Sequence, residues 1–191
     1  MDKLNTIDAS GACLLMGGAA GDALHALRGS YVVECFDAHG AIKWADRIEN
    51  LITDVGARAM LDGILDNAAK GAVYMGLKGT GSAVVGDTMA SHAGWSEVGG
   101  TNAPAYSGTR KTPAWSAASG TGAGSRSKDT SSASSFTFTS GGTVAGCFIV
   151  IGGTTAQDNT SGTLFSAGDF SGGSRTVVST DVINVTYTLS I

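Results

Sequence analysis

Histidines, cysteines and carboxylates are the residues on which chemistry could rest here, and their spacing is unpromising for catalysis. His25, His39 and His92 lie far apart without a close Cys or His partner. Each is expected at a turn or on the surface rather than on a metal. Cys13, Cys35 and Cys147 contain no Cys-x-x-Cys pair, which excludes a zinc knuckle and a thioredoxin-type motif. Three is odd, so at least one thiol is unpaired within the chain. Cys35 and Cys147 sit in the apolar runs 32–36 and 145–151. They are expected to be buried, reduced thiols that pack as small hydrophobes, as suits a reducing cytoplasm. Residues 81–88 (GSAVVGDT) have the spacing of a phosphate-binding loop, but Asp87 stands where the lysine should be. A carboxylate there repels phosphate, so nucleotide binding is discounted. Gly120, Gly122 and Gly124 do not complete a dinucleotide fingerprint. Ser91 and His92 are adjacent, yet no G-x-S-x-G elbow occurs. Among 16 Asp and Glu, a carboxylate pair of glycosidase type could be assembled only by the fold. The expectation is a non-enzymatic chain with no catalytic residue, no cofactor and no metal.

The elements that position these residues follow from composition and pattern. The chain has 191 residues, enough for one domain with a sizeable core. It is rich in small residues, with 29 Gly but only 2 Pro, and only 15% of it is charged, against a usual ~25%. Hydrophobic content of 42% is too high for a disordered chain. Net charge is −4, with the 12 cations scattered, so the positive footprint of a nucleic-acid binder is missing. No apolar run approaches the ~18 residues of a membrane span. The patch 12–20 lacks a basic region before it, which argues against a signal peptide. Neither nucleic acid nor membrane is an expected partner.

Residues 31–52 predict a β-hairpin around the turn Asp37–Gly40, with Ile42, Trp44 and Ile48 on even positions of its second half. Residues 54–69 predict a helix capped by Thr53, with Ala57, Leu61, Ile64, Leu65 and Ala68 as its buried stripe. Residues 72–77 read as a strand. Residues 78–104 form a long polar and glycyl loop, and 116–135 a Ser/Gly-rich surface loop. Phe136 and Phe138 alternate with threonines, and Gly141–Gly142 is a hairpin signal. Residues 144–151 are apolar on both faces, as in a central strand. Short strands follow at 164–165 and 176–178, and 182–191 alternates to the last residue. Seven to nine strands and one short α-helix predict a mainly β protein: an antiparallel β-sandwich, plausibly a jelly roll. Residues 30–191 are assigned to this single domain. Residues 1–29 are assigned to an N-terminal arm or irregular segment carrying the apolar cluster Leu14, Leu15 and Met16. That arm is expected to reach a neighbouring subunit or a partner's surface and order there, or to add a strand to its own sandwich. Trp95, Tyr106 and Trp115 lie in loop-like sequence. They are candidates either for pinning those loops down or for anchoring an interface.

The string Asp87–Glu97 (DTMASHAGWSE), followed by Tyr106 and Arg110, resembles a motif of small structural proteins of tailed bacteriophages. The likeness extends upstream through 34–37, 43–46, 50–53 with Gly56, and 74–77. Downstream it takes in 142–146, 162–170 and 185–189. It spans residues 30–191 and leaves the first segment uncovered. The resemblance implies a capsid decoration or cement protein, a virion structural protein of β-sandwich or jelly-roll form. Such a protein sits on the outer capsid surface after synthesis in the host cytoplasm. It binds the major capsid protein and bridges capsomers as a homo-oligomer, often a trimer. No catalytic residue carries over from the motif. The alternative is a fibre or tail module binding a host carbohydrate, for which Trp95 or Trp115 would be the platform. β-Sandwiches host both roles.

Overall fold

The computed structural model describes residues 27–67, 69–121 and 125–191. Cys13, His25 and the cluster Leu14, Leu15 and Met16 fall outside the described residues.

The chain is mainly β and antiparallel. Strands β1 (Arg28–Phe36) and β2 (Ile42–Ile52) form the expected hairpin. Its turn closes because Asp37 Oδ1 accepts from the backbone of His39 (2.8 Å) and Ala41 (2.9 Å), while Gly40 takes φ +80°. Helix α1 (Asp54–Leu65) and β3 (Val73–Lys78) follow. Next come β4 (Ser127–Asp129), β5 (Ser134–Thr137), β6 (Gly142–Val144) and β7 (Gly146–Ile151). Strands β8 (Thr163–Asp169), β9 (Arg175–Val177) and β10 (Val182–Ser190) end the chain. Eight strands make one sheet in the order β3-β7-β8-β2-β1-β10-β4, with β5 also on β10. Strand β2 belongs to both halves: it runs beside β1 along most of its length, then meets β8 at Leu51↔Ala167 and Ile52↔Ser166. There the sheet curls strongly into a half-barrel. Strands β6 and β9 form a small second sheet.

The concave face holds the main core. Alternation on β1 and β10 turns Tyr31, Val33 and Cys35 inward against Ile183, Val185 and Tyr187, all 2% exposed or less. Tyr31 and Tyr187 pack with ring centroids 4.7 Å apart. Across the hollow, the Tyr31 hydroxyl and Ser166 Oγ are 2.8 Å apart. Strand β7 lies between β3 and β8 and is buried on both faces, as predicted for 144–151, but it begins only at Gly146, and Val144 belongs to β6.

Other expectations are corrected. Gly141–Gly142 does not turn a hairpin: β5 pairs with β10, and β6 with β9. The segment 116–135 is not a plain loop, because Ser119 pairs with Ser127, and β4 extends the sheet along β10. The helix starts where predicted but ends at Leu65, short of the predicted 69, and is capped as predicted, with Thr53 Oγ1 accepting from Gly56 N at 3.1 Å. Its buried face is the opposite one, however. Gly56 and Ala59 are buried, whereas Leu61, Ile64 and Leu65 are 53%, 70% and 78% exposed. A Cβ on Gly56 would collide with the Phe165 backbone, so the small-residue face alone fits against β8.

Cys35 and Cys147 are unpaired and fully buried. Burial pushes the Cys35 thiol up to about 11 and Cys147 well above its ordinary value. Both should stay protonated at pH 8 and react with a thiol reagent only as fast as the protein unfolds. Rapid labelling of either in the native protein would contradict this packing.

Candidate functional site

The string 87–97 lies in the long connection after β3, and its side chains bond mainly to one another. Asp87 Oδ2 accepts from Val84 N at 3.0 Å and from Trp95 Nε1 at 2.9 Å. Thr88 and Ser91 close a tight turn, in which Ser91 N also reaches Thr88 Oγ1 at 3.0 Å. The His92 ring stacks on Trp95, centroids 4.1 Å apart, and His92 Nδ1 lies 3.0 Å from the Trp95 carbonyl oxygen. This clamp presses Met89 and Trp95 onto the convex face of the half-barrel. There they form a second apolar cluster with Phe148, Val150, Leu164 and Ala167. The convex face of β7 is thus covered by a loop, which is why that strand is apolar on both sides. Gly76 makes room for the Phe148 ring, which would overlap a Cβ at that position.

The clamp ends in a buried ion pair. Glu97 accepts from Arg110 Nε at 2.9 Å and Nη2 at 2.7 Å. Their side chains are 3% and 0% exposed. Arg110 Nη2 also donates to Asn159 O at 2.7 Å, and Glu97 Oε2 accepts from Asp158 N at 3.0 Å. Asp158 Oδ2 in turn accepts from Thr101 N and Oγ1 at 2.7 and 2.8 Å. Three loops are tied at one point in this way. Lys78 makes a second tie, pairing with Asp169 and donating to Gly81 O at 2.5 Å.

Beside the clamp is an open depression of about 440 Å³, bordered by Ser91, His92, Thr101, Asn102 and Asp158. His92 is held against Trp95 and Asp158 is engaged by the 101–102 backbone and side chains, so these groups serve the loops. Among the described residues no cluster of three or more His, Cys, Asp or Glu could hold a metal ion. Nor is any helix among them long and apolar enough to cross a membrane.

The aromatic candidates do not converge. Trp95 and Tyr106 are each 5% exposed: Trp95 on the convex face, Tyr106 in the main core edge-on to Phe136 at 5.1 Å. Trp115 is half-buried and edge-on to Tyr187 at 6.2 Å. Sequence reasoning missed the Glu97–Arg110 pair. Its available signal was two opposite charges, Glu97 and Arg110, bounding a stretch with no other Asp, Glu, Lys or Arg. It also missed the exposed helix stripe.

No family model, curated protein or solved structure matches this chain.

Proposed function

We propose that the chain is a non-enzymatic virion structural protein of a tailed bacteriophage. In this reading it binds the major capsid protein on the outer capsid surface and cements neighbouring capsomers. The half-barrel and small second sheet then serve as the two layers of a jelly-roll-like sandwich, and copies associate as a homo-oligomer, a trimer in the implied arrangement. The observation that carries the reading is the string 87–97. It resembles phage structural proteins, and here Asp87, His92, Trp95 and Glu97 are spent on internal bonds. A motif that staples a loop suits a shell component better than a catalyst. Leu61, Ile64 and Leu65 on α1 supply an exposed apolar face of the kind buried at protein interfaces. The carbohydrate alternative is weakened because His92 covers the Trp95 ring.

The test is binding to undecorated capsids. If α1 faces the capsid protein, Ile64→Ala/Leu65→Ala should bind about 30-fold more weakly, the loss of one ~2 kcal/mol anchor cluster. These side chains are exposed, so folding should be unaffected. Wild-type affinity should change little with salt, because the contact is apolar and only surface charges are strongly screened. Undiminished binding by the folded variant would remove the helix from the contact. A steep loss of wild-type binding with salt, or a clear hit on a glycan array, would contradict the reading.

A further inference from the structure

The half-barrel is open at one end beneath α1. A groove of about 320 Å³ lies there, walled by Met60 and Gly63 of α1, Ile151 of β7, Leu189 of β10, and Trp115. Lys70 and Lys128 also border it, but their ammonium groups are engaged elsewhere. Lys70 pairs with Asp62 at 3.5 Å and Lys128 donates to Ser116 O at 2.9 Å. The volume is at the low end of the ~300–1,000 Å³ of small-ligand sites, and there is no built polar anchor of the kind such ligands need.

We propose that the groove is the docking site of this chain's own Leu14–Met16 cluster. The described chain starts at Leu27, and the next residues pair at the groove's wall: Arg28 opposite Ser190, Gly29 opposite Leu189. Leu27 therefore lies at the groove's own end of the barrel. Residues 17–26 separate the cluster from Leu27, a reach of up to ~33 Å at ~3.3 Å per residue. That exceeds the length of the nine-residue β10. Gly17, Gly18 and Gly21 in this stretch impose no steric bar to a reversal. A tether this short presents the cluster at roughly millimolar local concentration, which favours the chain's own segment over that of a second copy. Docking there lets Leu14, Leu15 and Met16 fill an apolar hollow. The inference stands whether or not the chain binds a capsid.

Native Cys13, immediately before Leu14, makes this testable by disulfide trapping in the full chain. Cys35 and Cys147 are too buried to compete. With Gly63→Cys and mild oxidation by oxidised glutathione, an intramolecular cross-link from Cys13 to position 63 should form at least ~10-fold faster than with Ala38→Cys. Ala38 lies exposed at the far turn of the β1–β2 hairpin. Adding Leu15→Asp to Gly63→Cys should bring the rate down to the Ala38→Cys level. Lys70→Cys, on the groove's border, gives the same reading if the helix variant does not fold. Equal rates at the groove and at Ala38 would overturn the proposal. So would a cross-linked dimer, which would place a second copy's segment in the groove.

Discussion

Arg110→Ala should destabilise the protein by about 3–5 kcal/mol, the cost of leaving a buried charge without its partner. Glu97 is 3% exposed and takes two bonds from the guanidinium, at 2.9 and 2.7 Å. Removing Arg110 also strips Asn159 O of its 2.7 Å donor. For a chain of this size the loss should appear as a fall of roughly 6–20 °C in Tm. Arg110→Lys should recover only part of it, since an ammonium cannot bond both carboxylate oxygens in the fork geometry. Replacing both partners, Glu97→Leu with Arg110→Met, should be milder than either truncation, because no unpaired charge is then left inside. A thermal melt of Arg110→Ala within 2 °C of wild type would show that the three loops are not held at this point.

Trp95→Ala should cost a similar ~3–5 kcal/mol, as expected for a large aromatic truncated in a packed cluster. The ring fills the space between His92, at 4.1 Å, and Phe148, at 5.4 Å between centroids. Its loss uncovers Phe148 and Val150 on the convex face. Trp95→Phe separates the contributions. It keeps most of the packing but removes the 2.9 Å bond to Asp87 Oδ2, leaving a buried carboxylate one donor short at about 1–3 kcal/mol. Denaturant unfolding of both variants reads these values. A negligible change in Trp95→Ala would mean that the motif does not staple the loop to the sheet.

Those two experiments also mark where the sequence stops being legible. The β1–β2 hairpin, the doubly buried β7 and the alternating β10 were readable because local period and turn chemistry agree with the tertiary outcome. Asp37 and Gly40 set the turn, and the inward set Ile183, Val185 and Tyr187 follows from the period of two. The helix shows the opposite case. Its start and Thr53 cap are local features and were legible. Its orientation is not, because α1 has two possible contact faces. The bulky stripe at 57, 61, 64 and 65 suggests burial by hydrophobicity, but the small stripe at 56, 59 and 63 permits the close approach to Phe165. Backbone proximity decided between them. Gly141–Gly142 failed because a glycine pair permits a turn without specifying strand partners. The site is less legible still. Glu97 and Arg110 are thirteen residues apart in loops, and nothing periodic connects them.

The central claim is that this chain sits on the outside of a phage head. It is tested most directly by cryo-microscopy of the purified virion at a resolution that traces strands. The account predicts density for the curled eight-stranded sheet on the outer capsid surface at contacts between capsomers, with Leu61, Ile64 and Leu65 turned toward the major capsid protein. Finding the chain in a tail fibre or tail tip, or finding no copy in the particle, would contradict it.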